Sequence, residues 1–302
     1  MASLLVLGAS GLVGSRLVEL WRKRVELDAP THDQLDVVDE AALTAFFSQT
    51  RPEVVVNLAA WADVDAAEAQ RDDVHGRVYQ LNAEYPGRLA ELCRERKAHL
   101  VHVSTDYVFD GANDQRPYRE EDPTNPLSWY ARTKAVGEQL ITDSGVAACV
   151  GRIEMPFRAQ PHRKTDFART CVARLRGSET LTAVADQWIT PVFLDDALEA
   201  LRRLIDLRVT GTVHVASADW TTPYDFARAI AARLGLDASL VRETAFAEFA
   251  SKRPARRPRH SWLDTTRANS LIGSGVLRSV DEQVDVWAAQ AREALNTSEL
   301  VR

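Results

Sequence analysis

The chain has 302 residues, 45% of them hydrophobic and 26% charged, with a formal net charge of −6. That balance describes a globular protein with a large core, and the acidic charge argues against nucleic acid or an anionic membrane as the main partner. Three cysteines (Cys93, Cys149, Cys171) without metal spacing fit buried thiols in a reducing compartment, and no apolar run is long enough for a bilayer span. The expectation is a cytoplasmic protein with no metal site.

The opening Met1-Ala2-Ser3 carries no basic leader, and Leu4-Leu5-Val6-Leu7 reads as a buried strand of a parallel sheet. It runs into Gly8-Ala9-Ser10-Gly11-Leu12-Val13-Gly14 and an amphipathic helix through Leu17, Leu20 and Trp21. Strand, glycine turn and helix in that order point to dinucleotide binding. Gly8 permits the tight turn, Gly11 lets backbone approach a pyrophosphate, and Gly14 lets the helix pack on the strand. The unpaired N–H groups of the helix start then face the phosphates. A second strand, around Val25 to Ala29, places Asp28 roughly 20 residues after Gly8, the offset at which an acid binds a ribose 2′-hydroxyl. Thr31 and His32 follow with no Arg or Lys beside them, which leans toward NADH, and Asp36-Val37 would border the adenine.

Val54-Val55-Val56-Asn57-Leu58-Ala59-Ala60 is a third strand ending in small residues, as a flat cofactor lying on Leu58, Ala59 and Ala60 requires. Asp63 and Asp65 read equally as helix caps or ligands. A helical stretch carries Asn82, Pro86, Leu89 and Leu92, and a fourth strand, His99 to Val103, delivers Ser104-Thr105-Asp106-Tyr107 at its carboxyl end. In an open α/β sheet that edge binds ligands. Asn125-Pro126 then signals a helix carrying Tyr130 and Lys134 one turn apart on one face, where a cation favours the ionised phenol. A fifth strand spans Val146 to Arg152.

This order spells an α/β, Rossmann-type doubly wound parallel sheet. Beyond it the rhythm breaks: Thr182 to Pro191 reads as loop, Leu194 to Leu207 as helix, and Val213 to Ala216 as one more strand. Helices at Tyr224 to Leu234 and Val280 to Leu295 flank a basic, proline-stiffened tract from Lys252 to His260. The expected division is a dinucleotide-binding unit of 1–153 plus about 190–216, and a smaller cap of about 154–189 and 217–302.

Gly8 to Gly14, Asn57 to Ala60, Asn82-Ala83, Ser104 to Gly111 and Tyr130-x-x-x-Lys134 together resemble the extended short-chain dehydrogenases/reductases. Within that group, Ser104-Thr105-Asp106-Tyr107-Val108-Phe109-Asp110-Gly111, Pro126-Leu127-x-x-Tyr130-x-x-x-Lys134-x-x-Gly137-Glu138 and Arg257-Pro258 with Leu263-Asp264-Thr265 resemble the dTDP-4-dehydrorhamnose reductases. The resemblance implies reduction of a keto group, at C4 of a nucleotide-linked 4-keto-6-deoxysugar, with NADH or NADPH. Thr105 would bond the carbonyl, Tyr130 would deliver its proton, and Lys134 would hold the nicotinamide ribose. The cofactor would meet Gly8, Ser10, Gly11, Leu12, Val13, Gly14, Asp28, Thr31, His32, Asp36, Val37, Leu58, Ala59, Ala60, Asn82 and Ser104. The sugar nucleotide would meet Thr105, Asp106, Tyr107, Met155, Phe157, Trp188 and Arg257, the last at its diphosphate. A homodimer stays open.

The chain departs from the reductases in two places. Arg152-Ile153-Glu154-Met155-Pro156-Phe157 stands where they carry Thr-Ser-Trp after the Arg, and Asp186-Gln187-Trp188-Ile189-Thr190-Pro191-Val192 is altered as well. Two alternatives follow: a non-catalytic NAD(P)-binding subunit, similar to the β subunit of methionine adenosyltransferase, and a sugar-nucleotide epimerase. Dehydration is disfavoured, because Tyr107 stands where dehydratases carry a second acid.

Overall fold

The computed structural model describes residues 3–296, so 297–302, the end of the expected cap, lie outside the described residues. In chain order the strands are β1 (Leu4–Leu7), β2 (Leu27–Asp28), β3 (Val54–Asn57), β4 (His99–Thr105), β5 (Ala148–Ile153), β6 (Leu181–Val184), β7 (Gly211–His214) and β8 (Val241–Thr244). Six of them form one parallel sheet in the order β2-β1-β3-β4-β5-β7, and β6 pairs with β8 in a separate parallel ribbon. The chain leaves β1 outward to β2 and returns on β1's other side as β3. The carboxyl ends of β1 and β3 therefore flank a crevice where connecting helices depart to opposite faces.

Alternation along the strands divides the core. Leu4, Val6, Val54, Val56 and Val101 face one helical layer, while Leu5, Leu7, Val55, Leu100 and Val150 face the other. Both faces are covered, which is why the strands read as unbroken apolar runs. Each fully buried Val or Leu contributes roughly 1.5–3 kcal/mol. The first layer also takes in Ala268, Ile272 and Leu277, so part of the region expected in the cap packs beneath the sheet. A third core belongs to the cap: Phe157, Cys171, Leu175, Phe193, Phe226, Ile230 and Trp287 pack with the β6–β8 ribbon. That ribbon lies partly where the sequence reads as loop, because four-residue strands flanked by turns carry little periodicity.

The helix Trp129–Asp143 begins at Ser128, whose hydroxyl accepts from Ala131 N at 3.2 Å, three residues past the Asn125-Pro126 signal. Two features seat it on the sheet. A Cβ at Gly137 would lie 2.3 Å from the carbonyl oxygen of Asn82, so only glycine lets the two helices approach this closely. One residue later, Glu138 binds Arg152 of β5, with Arg152 Nη2 donating to Glu138 Oε2 at 2.7 Å and the side chains 9% and 5% exposed. Arg152 also lies over the Phe109 ring at 5.0 Å.

All three cysteines are buried and unpaired, and among the described residues no helix is long and apolar enough to cross a membrane. Removing Glu138 leaves Arg152 charged and buried without its partner. Glu138→Ala is therefore expected to lower the unfolding free energy by about 3–5 kcal/mol in urea denaturation, whereas a loss under about 1 kcal/mol would rank it with surface ion pairs.

Candidate active site

Thr105 ends β4 at the carboxyl edge of the sheet, Tyr130 stands in the first turn of the helix above it, and Lys134 follows one turn later. Thr105 Oγ1 donates to Asp106 Oδ1 at 3.0 Å, accepts from Tyr107 N at 3.2 Å, and lies within hydrogen-bonding reach of the Tyr130 phenol. Lys134 is 2% exposed, and its Nζ reaches the Val103 carbonyl at 2.9 Å and His102 Nε2 at 3.1 Å. Burial brings Lys134 down to about 8 despite the Glu138 carboxylate. Burial also pushes Tyr130 up to about 12, only partly offset by the Thr105 hydroxyl. Tyr130 therefore moves opposite to the acidification expected from Lys134, because desolvation disfavours the charged form of both groups. Tyr130 is held as a protonated phenol.

The crevice beside β1 and β3 is a cleft of about 570 Å³. Its lining includes Gly8, Ser10, Gly11, Leu12, Val13, Gly14, His32, Asp36, Val37, Leu58, Ala59, Ala60 and Ser104, with Thr105, Tyr130 and Lys134 at one end. A dinucleotide fits this cradle. Gly8 sits at φ +81°, and a Cβ there would lie 2.4 Å from Ala59 N. The Ser104 hydroxyl is buried and unpaired in the cleft lining.

Three expected cofactor contacts lie elsewhere. Asp28 is exposed on an edge strand of two residues that stops short of the cleft. Thr31 is exposed, and its N and Oγ1 both donate to Gln34 Oε1. Asn82 is wholly buried as a bolt, accepting from Trp61 N at 2.8 Å and donating to Trp61 O and Thr133 Oγ1. At the adenosine end the cleft instead meets Pro30 and Arg77, with Arg77 Nη2 forked onto Asp36 at 2.9 and 3.0 Å. Over the glycine turn lie Arg163, Lys164 and Thr165 of a cap loop whose His162 Nε2 approaches Ser10 O at 3.2 Å. Ser10 and His162 are 152 residues apart along the chain, and only the fold brings the cations of this loop to the turn.

A second cavity of about 180 Å³ adjoins the first and shares Thr105, Asp106, Tyr130 and Met155 with it. Tyr107, Glu154, Gln187, Ile189, Ser261 and Val64 complete its walls. Met155 holds φ at +38°, a strained conformation for a residue with a Cβ, where the two cavities meet. Glu154 is fully buried, accepting from Thr190 N at 2.6 Å and Ser261 Oγ at 2.8 Å. Burial raises both the Asp106 and Glu154 carboxyls, and Glu154 raises Asp106 further. Asp106 Oδ2 has no protein partner. An acid ending an apolar strand was the available signal for Glu154.

Three expected substrate contacts also move. Phe157 is 1% exposed in the cap core, its ring 5.1 Å from that of Phe226. Trp188 stays out of the second cavity, although its neighbours Gln187 and Ile189 line it. It packs on Trp262, His260 and Trp220 instead. Arg257 stands beside Tyr107, but its fork is occupied by Asp65, at 2.8 and 2.9 Å. Arg259 is likewise paired, with Asp186 at 2.8 Å. Asp63, for its part, caps a helix by accepting from Ala66 N at 2.9 Å.

Known proteins resemble the chain over nearly its whole length. A probable dTDP-4,6-dihydroxy-2-methyloxan-3-one 4-ketoreductase of Streptomyces antibioticus is 36% identical, covering 96% of this chain and 93% of its own. A dTDP-4-dehydrorhamnose reductase of Mycobacterium tuberculosis is 35% identical, covering 91% and 88%. The crystal structure of a dTDP-4-dehydrorhamnose reductase from Clostridium acetobutylicum superposes with a TM-score of 0.86 at 29% identity, covering 96% and 99%. Matched over residues 1–292 by the RmlD substrate binding domain, the chain belongs to that family of extended short-chain dehydrogenases/reductases.

Proposed function

We propose that this protein reduces the C4 keto group of a nucleotide-linked 4-keto-6-deoxysugar with NADH or NADPH. The observation that carries the reading is the junction of the two cavities. Thr105 and Tyr130 wall both, so a carbonyl entering from the smaller cavity meets a hydroxyl and a phenol where the dinucleotide cleft ends. The reductase names of the full-length relatives support the substrate class.

A bound nicotinamide dinucleotide would supply a hydride to the carbonyl carbon. The chain does the rest. The free N–H groups at the start of the helix after the glycine turn would hold the diphosphate, with Arg163 and Lys164 above them. Thr105 bonds the substrate oxygen, and Tyr130 gives it a proton. Lys134 lies one turn from the phenol, where its ammonium stabilises the phenolate. Asp106 Oδ2, buried and unpaired, is placed for a sugar hydroxyl. A purely binding subunit would need none of this convergence of acid, hydroxyl and amine.

Tyr130→Phe keeps the ring and removes the proton donor. Its kcat, followed by NAD(P)H oxidation on a panel of nucleotide-linked keto-sugars, should fall by about 100- to 10,000-fold while cofactor binding stays unchanged. Wild-type turnover in the variant would overturn the assignment.

At the adenosine end, Asp36 neutralises Arg77, both about two-fifths exposed. Asp36→Asn removes that charge and frees Arg77 for a 2′-phosphate. NADPH affinity should rise relative to NADH by about two- to fivefold, the worth of a partly exposed ion pair, in a fluorescence titration. An unchanged ratio would place the 2′-position away from Arg77.

A further inference from the structure

The smaller cavity beside Thr105 and Tyr130 carries two carboxyls, Asp106 and Glu154, only 3% and 2% exposed. Glu154 is held at both oxygens. Thr190 N and the Thr190 hydroxyl donate to its Oε2, and the Ser261 hydroxyl meets its Oε1 at 2.8 Å. The same serine lies within hydrogen-bonding reach of Asp106, so one hydroxyl joins the two acids. Asp106 is held on one side only. Its Oδ1 accepts from the Thr105 hydroxyl at 3.0 Å, while Oδ2 is buried without a partner.

No cation answers this pair. The cavity has no lysine or arginine in its lining, and among the described residues neither acid is paired with one. Arg257, beside Tyr107, is spent on Asp65, and Arg152, two residues before Glu154, on Glu138. Lys134 turns to Val103 O and His102. Burial raises both carboxyls, and the charge of Glu154 raises Asp106 further. A proton on one of them relieves the repulsion but adds no partner for Asp106 Oδ2. A sugar hydroxyl supplies a hydrogen bond there and no charge. An ammonium supplies both, with three donors and the positive charge that lets both acids ionise.

We propose that the sugar taken by this cavity carries an amino group beside its keto carbon, and that Asp106 and Glu154 bind the ammonium between them. Asp106 follows Thr105, which bonds the carbonyl oxygen, so the substituent that reaches the pair sits on a ring carbon next to C4. In a 6-deoxysugar C5 bears the methyl group, which leaves C3. The ligand is a nucleotide-linked 3-amino-4-keto-6-deoxysugar. Asp106 alone would serve a hydroxyl as well, and Glu154, the second charge, decides for the amine. Glu154 also falls in the stretch where the chain departs from the Thr-Ser-Trp of the reductases it resembles.

The proposal rests on the reductase reading for the place of the carbonyl, but binding can be measured apart from turnover. The full chain, saturated with NADH or NADPH so that neither ligand reacts, is titrated calorimetrically with a nucleotide-linked 3-amino-3,6-dideoxyhexose and with its 3-hydroxy counterpart. Wild type should bind the amino sugar about tenfold more tightly, the margin between charged and neutral hydrogen bonds. Glu154→Gln keeps the shape and removes the charge, and should bring the two affinities within about twofold of each other. Equal affinities in wild type, or tighter binding of the hydroxy sugar, would overturn the proposal whether or not the variant folds. A variant that weakens both sugars alike and keeps the wild-type margin would make Glu154 structural and overturn it too. The kcat/KM for the matching 4-keto sugars, followed by NAD(P)H oxidation, tests the reading beneath. Reduction of the hydroxy form alone would keep the reductase and remove the amine. Preferential binding of the amino sugar with no reduction of either would keep the ammonium site and remove the reductase. If neither sugar binds, both fall.

Discussion

The seating of the Trp129–Asp143 helix on β4 and β5 is the constraint on which the chemistry depends. Gly137 brings its backbone against Asn82, and Glu138 ties it to Arg152, so the helix cannot slide along the sheet without breaking a buried ion pair or a close packed contact. One and two turns before that anchor stand Lys134 and Tyr130. Their height above Thr105 is therefore set by residues that touch no ligand. The Gly137-Glu138 pair that follows the Tyr-Lys pattern is in this sense part of the mechanism, because a displacement of about 1 Å in a reacting group can cost 100-fold in rate.

Desolvation is the second organising effect. The same burial that disfavours charge on Lys134 disfavours it on Tyr130, so both groups are displaced toward their neutral forms. Groups so poised gain their largest interaction when charge develops during reaction, and that difference between ground and transition state accelerates chemistry.

The sheet was legible in the sequence because buried parallel strands are uninterrupted apolar runs and each ends in a turn with its own residue chemistry. The glycine turn, the small residues after Asn57 and the Thr-Asp pair all fall at the carboxyl edge, where the cleft lies. What was not legible depends on long-range packing or on which way one side chain points. Asp28 had the right offset, yet a two-residue edge strand leaves it in solvent. Trp188 was the conspicuous aromatic, but its neighbours Gln187 and Ile189 line the cavity. Phe157 was drawn into the cap core by Phe193, Phe226 and Trp287. Arg257 reads as a free phosphate ligand until Asp65, nearly the whole chain away, is seen to fill its fork. Glu154 shows the same limit in reverse: its value comes from Thr190 and Ser261, which only the fold brings to it.

The most direct test of the account is the fate of the transferred hydrogen. With NADH or NADPH carrying deuterium at the nicotinamide C4 and a nucleotide-linked 4-keto-6-deoxysugar, the product should carry one deuterium at the sugar C4, read by NMR and mass spectrometry. Deuterium that stays on the cofactor with every nucleotide-linked keto-sugar offered, although the cofactor binds tightly, would contradict the account and leave a binding protein in its place.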